Sequence, residues 1–178
     1  MSIQDIYQNT IKFAAQKHTD NNQKIPGTNL PYVVHLSNVA MEILMTVEKS
    51  ENFNGEFAVQ VALLHDVLED TDVTFEELEN KFGKSVAEGV LALTKNDDLQ
   101  KNERMMDSLQ RIKRQPKEVW AVKLADRITN LQVPPHFWTE KKIINYKQEA
   151  ITILEELRGG NEYLENRLQT KIDEYNLD

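Results

Sequence analysis

The octapeptide Leu63-Leu64-His65-Asp66-Val67-Leu68-Glu69-Asp70 sets one imidazole and three carboxylates within six consecutive positions. At about 100° per residue on an α-helix, with His65 at zero, Glu69 lies near 40°, Asp66 near 100° and Asp70 near 140°. The four groups then share one side of a helix end. Ala58, Val59, Ala62 and Leu63 occupy the same arc further back, so the ionisable groups emerge from an apolar face. Gathering them there is costly unless a cation, a partner or water compensates. A divalent metal does this directly, because neighbouring carboxylates then stabilise a charge instead of repelling each other. The plainer alternative is a solvated acidic helix end, against which the HDxxED spacing speaks.

A metal needs further ligands, and two segments offer them. In Val122-Lys123-Leu124-Ala125-Asp126-Arg127-Ile128-Thr129-Asn130-Leu131, the helical face through Val119 and Val122 continues into Asp126 and Asn130. An Asp on such an apolar stripe requires a partner, and either a metal or an arginine serves. His35 sits in the apolar run Tyr32 to Leu36. It reads either as a ligand or as a core histidine bonded to backbone. His18, at a helix end, and His136, in a proline-rich loop, read as structural or surface residues. Two imidazoles and two carboxylates suit manganese, iron or zinc.

These residues must be held by helices. Apolar side chains recur at helical spacing from Ile3 to Ala15, from Val33 to Leu44, from Phe57 to Leu68 and from Val119 to Leu131. Thr74 and Glu77 form a capping-box pattern that opens a short helix ended by Gly83. A further helix is expected over Ser85 to Thr94, and Asp97-Asp98 marks the next start. Pro116 fits a helix first turn, and Pro134-Pro135 stops that helix. Amphipathic helices over about Thr139 to Leu157 and Glu162 to Tyr175 flank Gly159-Gly160. No alternating strand pattern occurs, so the expected class is all-α. One folding unit spans residues 1–178, with its motifs in 13–131 and the C-terminal helices in 139–177.

Composition bounds the function. The 178 residues include no cysteine, which excludes a disulfide scaffold, a thiolate-held metal and a cysteine nucleophile. The 21 basic and 29 acidic residues give a formal charge of −8. That balance argues against a nucleic-acid binder resting on phosphate neutralisation. No apolar run suits a membrane span and no signal pattern opens the chain, so a cytoplasmic protein with no membrane or nucleic-acid partner is expected.

A histidine about thirty positions upstream of HDxxED, followed later by LADRxxNL, resembles the pattern of the HD-domain phosphohydrolases. More narrowly, the chain resembles the alarmone hydrolases, both the hydrolase domains of RelA/SpoT-type enzymes and the free-standing small ones, from about Phe13 to Leu131. The resemblance implies a compact multi-helix HD-domain bundle. It makes His35, His65, Asp66 and Asp126 the ligands of one divalent metal, typically Mn2+, and Glu69 and Asp70 the catalytic carboxylates. The implied reaction removes the 3′-pyrophosphate of guanosine 3′-diphosphate 5′-di- or triphosphate, giving pyrophosphate and GDP or GTP.

The substrate so implied is a small polyanionic nucleotide, and its binding falls to local cations. Lys17, Lys24, Lys95, Lys123 and Arg127 are the candidates, with Lys24 in a loop that corresponds to the family's basic loop over the base. Asn130 keeps a family position from which it contacts the ribose or orders Asp126. The chain departs from the family at Gln23, where an arginine is usual, and at Gln132-Val133, where Arg-Thr is common. Those departures favour an alternative: an HD phosphohydrolase for another nucleotide, such as a nucleoside monophosphate or the 2′-phosphate of NADPH. A third reading is a nucleotide-sensing domain without catalysis.

Overall fold

A computed structural model of the protein describes residues 1–175, and the helical stripes of the sequence become ten helices among them. These are α1 Ile3–Asp20, α2 Val33–Val47, α3 Gly55–Leu64, α4 Val67–Asp70 and α5 Phe75–Phe82. They continue with α6 Lys84–Leu93, α7 Arg104–Ile112, α8 Lys117–Asn130, α9 Glu140–Glu156 and α10 Glu162–Glu174. The described residues form no strand beyond an isolated bridge between Lys24 and Pro31.

The most apolar segment lies at the centre. Ala58, Val59, Val61, Ala62, Leu63 and Leu64 of α3 are fully buried. Helices α1, α2, α6 and α8 pack around it, as expected for a helix that is hydrophobic on nearly every side. At its start a Cβ on Gly55 would stand 2.6 Å from Val47 Cγ2, so only glycine lets the loop after α2 close this tightly. Helix α10 packs on α8 and α9. It is tied to α2 by a two-pronged pair, with Arg167 Nε and Nη2 each 2.6 Å from the carboxylate of Glu42.

Local chemistry explains most helix starts. Ser2, Asn54, Thr74, Thr139 and Asn161 each accept a backbone N–H from the first turn through the side chain. Thr74 caps Glu77 as expected, but the Glu77 carboxylate pairs with Lys17 at 3.2 Å instead of closing the box. Two expectations are corrected. Asp97-Asp98 does not open a helix: Arg104 reaches back to the Asp97 carboxylate, the Asp97 carbonyl and the Leu99 carbonyl, holding residues 97–99 as turns before α7. Nor does one helix run through Leu68. It breaks at His65-Asp66, where Asp66 has φ −105° and ψ 0°.

Candidate functional site

The break between α3 and α4 has a definite cause. A continuing helix would bond the Ala62 carbonyl to the Asp66 N–H, but His65 Nδ1 takes that carbonyl at 2.8 Å. With its Nδ1–H so engaged, His65 presents Nε2 to the interior. Asp66 begins the short α4 by accepting from the N–H groups of Glu69 and Asp70 at 3.1 and 2.9 Å. Thr71 closes α4 by donating to the Val67 carbonyl at 2.6 Å. The four groups are thus divided by the break: Asp66 turns to His65, while Glu69 is held by Lys95.

Helix α2 brings His35 opposite His65, with the two Nε2 atoms 3.3 Å apart. Helix α8 brings Asp126, whose Oδ1 lies 3.4 Å from His35 Nε2 and 3.6 Å from His65 Nε2. Asp66 Oδ2 is 2.9 Å from His65 Nε2 and 3.8 Å from His35 Nε2. His35, His65 and Asp126 are all buried, and each offers one atom within 4.8 Å of the others.

Two ring nitrogens facing each other between carboxylate oxygens, inside a buried site, form a donor set that a divalent cation satisfies. Burial opposes charge on His65, but Asp66 and Asp126 outweigh it and raise its pKa well above the usual imidazole value. Burial likewise opposes the Asp126 carboxylate, and Lys123 with the two imidazoles outweighs it and holds its pKa well below the ordinary range. The donors therefore fit a metal.

Glu69 and Asp70 open onto a cavity of about 650 Å³, which Lys123, the partner of Asp126, joins to the four donor residues. Lys95 donates to Glu69 twice, from Nζ at 2.6 Å and from its backbone N–H at 3.1 Å. The Asp70 carboxyl is pushed up to about 6, first by burial and then by the negative charges of Asp66 and Glu69. Lys95, Lys123 and Arg127 line the same cavity. Lys123 is also bound to Asp126 at 3.1 Å, and Arg127 stacks over Tyr146 with its guanidinium carbon 4.3 Å from the ring centre. Asn130 donates to Asp126 Oδ1 at 2.6 Å.

Lys24 lies elsewhere, exposed in the loop between α1 and α2. That loop touches the one after α8, where a Cβ on Gly27 would stand 3.2 Å from the Phe137 ring. Gln23 donates to the Asp70 carbonyl at 3.1 Å, fixing the loop to α4. Lys17 is paired with Glu77 and His136 is exposed, away from the ligand atoms.

Sequence reasoning missed four residues. Lys101 and Arg104 add two cations to the cavity wall. Tyr32 donates its hydroxyl to Asp66 Oδ2, and His18 stacks on the Tyr32 ring at 4.8 Å between centroids. The three-residue step from Tyr32 to His35 was the available signal, since it puts both on one helix face.

A family model described as the HD domain matches residues 10–161. The chain belongs to the HD-domain family. Its HD domain is 36% identical, over 90% of this chain and 88% of the other, to the guanosine-3′,5′-bis(diphosphate) 3′-pyrophosphohydrolase MESH1 of Danio rerio. The Homo sapiens MESH1 is 35% identical over 88% of this chain and 87% of its own length. A solved structure described as a metazoan ortholog of SpoT that hydrolyzes ppGpp superposes with a TM-score of 0.80. It is 32% identical, and 97% of each chain is covered. The HD domain is all-α, like that structure, and no described helix is long and apolar enough to cross a membrane.

Proposed function

We propose that this HD domain hydrolyses the 3′-pyrophosphate of guanosine 3′,5′-bis(diphosphate), or of its 5′-triphosphate relative, to pyrophosphate and GDP or GTP. The observation that carries the reading is the convergence of His35, His65, Asp66 and Asp126, linked through the Lys123–Asp126 pair to a cavity that holds Glu69, Asp70 and five cations. The MESH1 relatives, similar along nearly the whole chain, supply the substrate class.

In this reading His35, His65, Asp66 and Asp126 hold one divalent cation, Mn2+. When bound, such a cation polarises phosphoryl oxygens and lowers the pKa of water. Asn130 and Lys123 hold the Asp126 carboxylate in place. Glu69, fixed by its two bonds from Lys95, accepts the proton of the attacking water. Water oxygen bonds to the 3′-phosphorus as the bond from that phosphorus to the ribose oxygen breaks. Asp70, whose raised pKa lets it carry a proton near neutrality, donates to the departing ribose oxygen.

The cavity cations, Lys95, Lys101, Arg104, Lys123 and Arg127, bind the phosphates of a substrate that the acidic chain as a whole repels. Lys24 covers the base from its loop. The whole of residues 1–178 acts as one domain on a free nucleotide in the cytoplasm, with no nucleic-acid partner.

A second reading, hydrolysis of a nucleoside monophosphate or the 2′-phosphate of NADPH, is favoured by the two glutamines. Neither amide carries charge, and each spends its N–H on a carbonyl of the chain, Gln23 on that of Asp70 and Gln132 on that of Thr129. The test is to strip the protein of metal, restore Mn2+, and incubate it with both guanosine compounds, NADPH and several nucleoside phosphates. Pyrophosphate with GDP or GTP, formed only with metal, supports the first reading. Inorganic phosphate from another nucleotide replaces it with the second.

A further inference from the structure

Tyr32 caps the N-terminal end of α2, one helical turn before His35. Its hydroxyl donates to Asp66 Oδ2, the oxygen that also faces both imidazoles. The ring that carries this hydroxyl is fixed from two sides. His18 lies against it at an interplanar angle of 29°, and the His35 ring stands 5.1 Å away.

Backbone bonds fix the same unit. The Tyr32 N–H donates to the Gln23 carbonyl at 3.3 Å, and the Gln23 N–H donates to the His18 carbonyl at 2.9 Å. The loop thereby returns Tyr32 to the end of α1 it started from. His18 is 1% exposed, and neither ring nitrogen has a hydrogen-bond partner among the described residues. Burial lowers its pKa to about 4, so it stands neutral against Tyr32 and supports it by its face.

We propose that Tyr32 is a positioning residue of the metal centre, holding the Asp66 carboxylate so that Oδ2 is turned towards His35 and His65 before a cation arrives. The proposal rests on the reading that His35, His65, Asp66 and Asp126 bind a divalent cation. A half-buried carboxylate at a helix break rotates freely about its terminal bond unless something bonds it. The phenol supplies that bond from outside the ligand set, and loss of such outer partners weakens metal binding by roughly 10–100-fold.

Tyr32→Phe tests this, because it keeps the ring and its stack on His18 while removing only the hydroxyl. Mn2+ is titrated into the metal-stripped full-length protein by calorimetry, and thermal unfolding is followed without metal. The expected result is Mn2+ affinity about 10–100-fold weaker, an unchanged unfolding midpoint without metal, and turnover restored by excess Mn2+. Affinity within about twofold of the unaltered protein would overturn the proposal. So would a lowered metal-free midpoint with matching loss of affinity, which marks a merely structural residue. If the unaltered protein itself binds no Mn2+, Zn2+ or Fe2+, the four-residue metal reading fails and takes this role with it. If it binds and Tyr32→Phe binds equally, only the role of Tyr32 fails.

Discussion

His65 donates from Nδ1 to the carbonyl oxygen of Ala62 across 2.8 Å, and this one bond both ends α3 and selects the ring nitrogen that faces the site. A neutral histidine so held has its lone pair on Nε2, 3.3 Å from Nε2 of His35. The interruption of the helix and the turning of His65 Nε2 into the site are therefore one event.

Asp66 stands next in the chain and supplies one of the two carboxylates among the four donors. Asp66→Ala should abolish Mn2+ binding and turnover together while far-UV circular dichroism keeps its helical form. Full activity in this variant would refute the metal assignment.

Glu69 should separate binding from chemistry. Its carboxylate is bonded by Lys95 rather than by the imidazoles, so Glu69→Gln should bind Mn2+ as the parent does. Turnover should fall by roughly 10²–10⁴-fold, the usual contribution of a positioned base. Loss of metal with the rate intact would make Glu69 a ligand and reverse the division of roles.

Asp70 should cost stability in the metal-free protein. Its folded-state value of about 6 lies above the ordinary 3.8, so its favourable contribution is complete below the lower value and disappears as pH rises through the upper one. Asp70→Asn should therefore stabilise the metal-free fold at pH 8 by about 1–2 kcal/mol, allowing for solvent screening, with little gain at pH 4. Activity should be lost. Chemical unfolding at the two pH values checks the sign, and an equal effect at both would contradict it.

Away from the site, Arg167→Ala should destabilise the fold by roughly 3–5 kcal/mol, because it strands a buried carboxylate. Glu42 is 4% exposed and has Arg167 as its ion-pair partner among the described residues. Urea unfolding measures the loss, and the double variant Glu42→Gln/Arg167→Met should recover part of it. No recovery would mean that the pair matters through packing alone.

The helix periods and the polar groups that interrupt them were legible in the sequence. Asp126 on the Val119–Val122 face could be read as pointing inward because an apolar stripe has only one place to go. The break at His65-Asp66 could not be read, since it depends on a ring bonding a carbonyl of its own helix instead of the solvent. For His18, read as a structural or surface residue, the choice between the two needed the fold. Its burial comes from Tyr32 folding back over it through the intervening loop, a tertiary contact that helical periodicity does not encode. Arg104 was hidden because Asp97-Asp98 looks like a helix start, and only the guanidinium reaching back to Asp97 sets that residue in the cavity wall.

The four proposed ligands come from α2, from the junction of α3 and α4, and from α8, segments separated by some thirty and sixty positions in the chain. This separation has a consequence for biosynthesis. A nascent chain that has left the ribosome only through α7 already carries both histidines and Asp66, but no Asp126 and no α8 to close around them. Such a fragment lacks the last ligand and the helix wall behind it. On the proposed metal reading, tight capture of a cation waits for α8 to dock, and occupancy of the centre would report that the polypeptide has been made and folded past residue 126.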